Sequence, residues 1–462
     1  MGRSLGPQRF LNHLRKELPD WVGRGWVTPL SAEAILQHVG ARPVGTHFLA
    51  SALAVLGVLL LGSGIITYFA AHWDAMPKLA KLAVLLGSLW FSYGVGGYLL
   101  REDRYPRLAQ ALVLLGVILF GANVMLIAQI YHIQSHYPNG VLLWALGGLL
   151  TAYLIPSQPA MVATLALAIL WTGMESFGFE RVHGAFLLVW LACLPRIFQH
   201  SWRAAAHVAC IGLLLWLFFV FINLENYSEW GKGKGLFVMQ LYFLSCCALF
   251  LIGLLMDTAA RFAPFADIVQ RYPVIAGLLS FYTLTSPHLQ SGQYWVGDET
   301  VRATANTTWI IATLTALAVI VLLAAWHRRR AGGAVRPAYL HWGQALIAGI
   351  AALILVNLFV GGMYGGLVAL AFNLLFFAGV VWLIVAGVQR DDSFLVNAGF
   401  LLFALGLFSR YVDTFWTLLN RSFFFMAGGA ILILGGFFLE KQRRRLTGEI
   451  VARRDDRGGR GK

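Results

Sequence analysis

Runs of about eighteen or more apolar residues recur along this chain from residue 47 to residue 439. That is the length a helix needs to cross about 30 Å of hydrocarbon. A helix also satisfies its own backbone there, which an open strand does not. The runs therefore constrain the architecture before any motif is considered. Composition agrees, with 59% of the 462 residues hydrophobic and only 12% charged, where a soluble domain is about 45–50% apolar and about 25% charged. A transmembrane barrel needs alternating segments of about ten residues, and the sequence has no such pattern. The sequence predicts an all-α, polytopic helical membrane protein.

The apolar spans read as about fourteen: 47–70, 79–100, 108–131, 140–156, 158–175, 183–197, 203–223, 235–256, 272–289, 306–326, 342–361, 364–388, 393–409 and 422–439. Residues 1–46 form a small polar head. Phe10, Leu11, Leu14 and Leu18 lie at near-helical spacing, and Pro19 and Asp20 are expected to end that helix. Thr28, Pro29 and Ser31 offer the start of a second helix. Two short helices without a third make a poor DNA-binding core, and the head reads as a cytoplasmic cap. The organisation expected is thus a helical head at 1–46, a membrane domain at 47–440 and a basic tail at 441–462. The head lacks the apolar core of a cleavable signal peptide. No internal repeat suggests an inverted-repeat transporter.

Loop charge gives an orientation, because cytoplasmic loops carry the excess of Lys and Arg. With both termini inside, Lys78, Lys81, Arg181, Lys232, Lys234, Arg302, Arg410 and Arg421 are the only ones of the 35 basic residues left outside. The chain reads as a multi-pass protein of a bacterial cytoplasmic membrane. The net charge of +14 therefore points to an anionic lipid surface and not to nucleic acid. Cys193, Cys210, Cys246 and Cys247 lie in or beside apolar spans and form no CxxC pair, so neither a disulfide framework nor a zinc site is expected.

The most informative stretch is Gly121–Trp144, GANVMLIAQIYHIQSHYPNGVLLW. It begins as a membrane helix, acquires polar side chains near the water, and turns at Pro138, Asn139 and Gly140. The head ELPDWVGRGWVTPLSAEAI, the closing phrase GSGIITYFAAHWDAMP and the run IAQIYHIQSHYPNGVLLWALGGLL resemble the bacterial membrane-protein family catalogued as domain of unknown function 2157. The shared features fall on Trp21, Gly25 and Ser31, on Trp73 and Asp74, and on Gln129, Ile130 and Tyr131. The likeness spans residues 8–175, and the stretch RYVDTFWTLLNRSFFFMAGGAILILGGFFLEKQRRRL is similar to the close of many such proteins. His72 stands where the family usually has Asn. The resemblance implies the same membrane architecture and brings no activity.

The candidate outer-face polar site comprises Trp73, Asp74, Gln129, Tyr131, His132, His136, Arg410 and Asp413. On one continuous helix, Gln129, His132 and His136 share a face. Histidines at i and i+4 can bind metal, but no third ligand stands near in sequence, so they read as wet interfacial residues and no metal is expected. Trp73 fits an aromatic belt, and Asp74 suits a cap. The Trp73–Asp74 turn is expected within about 20 Å of Gln129. Arg410 and Asp413 are spaced for an i,i+3 ion pair. Acidic residues are scarce at mid-depth, which disfavours ion-driven transport. No phosphate-binding loop, HExxH or GxSxG signature appears, and no cofactor is implied. The readings that remain are a non-catalytic membrane component with a membrane-protein partner, a transporter or lipid flippase, and an intramembrane enzyme acting on a lipid-linked substrate. The first has Gly428, Gly429, Gly435 and Gly436 as a small-residue pairing face.

Overall fold

The computed structural model describes residues 18–33, 76–102, 105–133, 136–227, 235–285, 299–330, 338–360, 365–415, 429 and 433–445. The chain divides into two units, 1–84 and 85–462. In the first, residues 18–23 and 29–33 are helical. Pro19 and Asp20 do not end a helix, as the sequence suggested. They lie within the helical residues 18–23. The segment stops instead at Gly25, whose φ of 74° lets Trp26 N–H reach the Trp21 carbonyl and Gly25 N–H the Val22 carbonyl. Thr28 then caps the second segment through its hydroxyl, which accepts from Ser31 N–H at 3.2 Å. Leu18 and Ala32 are buried, with Trp21, Val22 and Val27 packed on them.

Twelve further helices are described, and no strand among the described residues. They are α1 (Lys78–Arg101, which carries the unit boundary), α2 (Pro106–Ile130), α3 (Pro138–Leu154), α4 (Gln158–Gly173), α5 (Phe186–His200) and α6 (Arg203–Tyr227). Then follow α7 (Gly235–Asp257), α8 (Ala263–Leu284), α9 (Glu299–Arg330), α10 (Ala338–Val360), α11 (Gly365–Gln389) and α12 (Ser393–Phe415). Residues 433–445 are helical as well. Eight described helices are long and apolar enough to cross a membrane: Lys78–Arg101, Pro106–Ile130, Gln158–Gly178, Arg203–Leu224, Phe237–Asp257, Ile310–His327, Gly366–Gln389 and Ser393–Asp413. Pro138–Leu154, Phe186–His200 and His341–Val356 are apolar but shorter. The expected span at 47–70 lies outside the described residues, and the one at 422–439 is described from residue 433 onward apart from Gly429.

Prolines in the first turn open α2, α3 and α4. Close approach of glycine to large side chains seats neighbouring helices. Trp144 lies over Gly121 and Phe120 over Gly147, and the Trp144 indole donates to the Val117 carbonyl at 2.7 Å. Two cores adjoin along α7 and α8. One gathers Val117, Met161, Leu165, Ile197 and Ile268. The other gathers Phe281, Ile354, Phe372, Phe376 and Leu383. Apolar all round, α7 contributes to both, as a helix at the centre of a bundle must.

The end of the bundle where α6 and α8 start is clamped by charge. Asp267 accepts from Arg203 at 2.7 Å and faces Arg271 at 3.4 Å, and Arg271 also meets Asp392 at 2.6 Å. Arg390 donates to the Gln270 side-chain amide oxygen, Oε1, at 2.6 Å. This clamp explains why α8 begins at Ala263 and not near residue 272. Its first turns carry Asp267, Gln270 and Arg271, which partners on α6 and the α11–α12 turn hold in helical form. The helix then passes through Pro273.

Candidate functional site

The opposite end of the bundle holds a buried carboxylate. Past Gly173, α4 widens into a single π-turn, Met174–Gly178, a distortion that recurs at functional sites. Glu175 lies in that turn with its side chain only 8% exposed. A buried charge is costly unless paired, and the partner is His136, whose Nε2 lies 2.7 Å from Glu175 Oε1. His136 sits before α3 and is 29% exposed. Its ring packs on Phe179 at 4.0 Å. Tyr137 packs on Phe179 at 5.3 Å, and its hydroxyl lies so close over Gly178 that a Cβ there would stand 2.8 Å away. His183 closes the far side. Its Nδ1 lies 3.1 Å from Thr172 Oγ1, its ring meets Trp171 edge-on at 4.3 Å, and its carbonyl accepts from the Trp216 indole at 2.7 Å. Burial lowers the His183 pKa below its ordinary value, and the Glu175 charge partly opposes that. Among the described residues, no three His, Cys, Asp or Glu side chains converge as a metal site would require.

Residues 19–161 match the model of a family described as "Predicted membrane protein (DUF2157)". The match falls within the 8–175 stretch over which the sequence resembles that family. It includes His136 and ends before Glu175. The chain is thus a membrane protein with several apolar helices, similar over this stretch to a family whose description states no activity. No curated protein and no solved structure matches the chain.

Of the eight residues singled out in the sequence, Trp73 and Asp74 lie outside the described residues, and their expected proximity to Gln129 lies there too. Gln129, His132 and His136 do not share a helix face. α2 stops at Ile130 because Tyr131 and then His132, at φ 52°, turn the chain. Ile133 N–H reaches back to the Ala128 carbonyl and His132 N–H to that of Gln129, the two bonds that close a helix on a left-handed residue. Tyr131 and His132 are exposed, while His136 is drawn to Glu175. Arg410 and Asp413 form their i,i+3 pair at 3.1 Å. Arg410 also donates to the Thr285 carbonyl at 3.3 Å and its hydroxyl at 3.2 Å, so it closes the end of α8. Sequence reasoning missed Glu175 as a partner, because 39 residues separate it from His136. The available signal was an acidic residue in the last turn of one apolar span and a histidine at the corresponding end of another.

Proposed function

We propose that this chain is a non-catalytic component of a bacterial cytoplasmic membrane, with about fourteen spans, both termini inside, a helical head at 1–46 and a basic tail at 441–462. One observation carries the reading. Several described polar side chains in and at the ends of the spans serve helix joints. Arg410 and Asn373 both bind the Thr285 carbonyl, Arg203, Asp267, Arg271 and Asp392 clamp the other end, and Arg196 donates to the Tyr153 carbonyl. Such joints suit a framework whose task is to hold shape. The helix at 433–445 offers a surface for a membrane partner. Gly435 and Gly436 have open space where a Cβ would stand, and Ile433, Leu434, Phe437 and Phe438 beside them are exposed. Gly428 lies outside the described residues.

Transport or lipid flipping is the second reading, and Gln240 favours it. This side chain is wholly buried, and neither amide atom has a bonded partner; a bound water or polar cargo would satisfy it. The test is reconstitution into liposomes carrying fluorescent phospholipid in both leaflets. A framework protein leaves the lipid exchange rate at that of protein-free liposomes. Acceleration that Gln240→Leu abolishes would replace the framework reading with transport. Reporter fusions after Tyr137, Trp230 and Trp295 should read outside and one after Gly333 inside, and an inside signal at Trp230 would sink the topology.

A further inference from the structure

The His136–Glu175 contact joins two connections that are each held in an unusual backbone conformation. His132 lies before it at φ 52°, and Glu180 follows the π-turn at φ 54°, a region that L side chains rarely adopt unless the surroundings enforce it. Among the described residues, the 136–137 segment also meets the π-turn region through the packing of two rings on Phe179 and the Tyr137 hydroxyl over Gly178. Tyr137 in turn lines a lateral groove of about 540 Å³ together with Phe120, Asn123, Met125, Asn139 and Leu143. The pair therefore stands beside one wall of that groove.

We propose that the His136–Glu175 contact is a proton-operated latch, which fastens the α2–α3 connection and Tyr137 onto the π-turn when the imidazole is protonated and releases them when it is neutral. Histidine is the side chain class that changes charge in the physiological range. Its partly exposed ring can take the proton from water at that end of the bundle, while the buried carboxylate keeps its charge-assisted bond dry. Upon proton loss the neutral imidazole can still donate to the carboxylate through Nε2–H, but the positive charge on the donor is gone and the contact weakens. The other titratable groups around the pair are few. His183 faces Glu175 from the α4–α5 connection, and Tyr137 adjoins His136. Glu180 and Arg181 follow the π-turn and His132 precedes the pair, all three exposed. The inference stands whether the chain is a framework or a transporter.

Hydrogen–deuterium exchange of the full chain in lipid nanodiscs tests it, with unsubstituted protein, Glu175→Gln and His136→Gln compared at equal pH so that intrinsic exchange chemistry cancels. At about pH 5.5, amides of residues 136–141 and 175–181 should exchange about tenfold more slowly in the unsubstituted protein than in either variant. At about pH 8 the difference should fall below about threefold. His136→Gln keeps a donor that does not titrate, so it carries the test alone if Glu175→Gln does not fold. An equal difference at both pH values means a permanent structural bond and overturns the latch. No difference at the lower pH also overturns it.

Discussion

One substitution, glycine to alanine, should act with opposite sign at two helix positions, and the structure supplies the magnitudes. At Gly253 in α7 an added Cβ would lie 2.7 Å from Gln270 Cγ, 3.0 Å from the Val269 carbonyl carbon and 3.1 Å from Gln270 N. Two of these are backbone atoms of α8, so relief requires the helices to separate. Overpacking of this kind costs about 1–3 kcal/mol. The displacement also strains the Gln270 amide bond to the Gly253 carbonyl, now 3.0 Å, whose loss adds about 1 kcal/mol. Gln270 holds Arg390 in turn, so the disturbance reaches the charged clamp. At Gly94 in α1 an added Cβ meets nothing within 4 Å. Alanine there gains helix propensity, from nothing to about 1 kcal/mol. Unfolding in mixed detergent micelles titrated with dodecyl sulfate, followed by tryptophan fluorescence, should place Gly253→Ala about 2–4 kcal/mol below the unsubstituted chain and Gly94→Ala level with it or above. Equal losses at the two sites, or no loss at Gly253, would refute the packing argument.

Arg271→Met removes the shared partner of Asp267 and of the nearly buried Asp392. It should cost about 3 kcal/mol in the same titration, and adding Asp392→Asn should recover part of that loss. Arg443 and Arg444 bring the Glu440 carboxyl down to about 2 by hydrogen bonding. A depressed carboxylate contributes above its unfolded value of 4.5 and loses that contribution as pH falls through about 2. Here the side chain is 39% exposed and solvent screens it, so Glu440→Gln should leave stability nearly unchanged. For His183, burial holds the folded pKa below 6.5, so the unfolded chain binds the extra proton. Its contribution is therefore complete above about pH 6.5 and is lost as pH falls. His183→Gln should flatten that acid limb of the stability curve, and an unchanged limb would remove His183 as its source. This effect opposes the proposed latch, so a global stability curve does not stand in for the local exchange measurement.

The parts legible in the sequence are those that depend on near neighbours. Long apolar runs imply helices, and the i,i+3 spacing of Arg410 and Asp413 gives their ion pair, because a helix fixes both through local geometry. Thr28 and Pro29 announce the second head segment for the same reason. What stayed hidden depends on two other kinds of fact. One is the choice of helix end. Gln129, His132 and His136 have helical spacing, yet His132 takes a left-handed turn that glycine usually occupies, and no residue there advertises it. The same disguise recurs at Ser201 and Asp391, which end α5 and α11 at φ 53° and 51°. The other is pairing across the bundle. Asp267 and Arg271 read as polar residues outside a span, and only Arg203 and Asp392, brought in from distant helices, make them a helix start. Glu175, the last residue of the expected 158–175 span, gains its partner only where the π-turn sets it against His136. Spacing rules describe one helix at a time, whereas a buried charge in lipid must find its partner on another. A site built from such partners becomes visible once each acidic residue near a span end is matched against every basic or histidine residue at the same end of the bundle. That search includes His136 among the candidates for Glu175 and Arg203 among those for Asp267. It demands a topology first, so the function of a chain like this one is read after its fold.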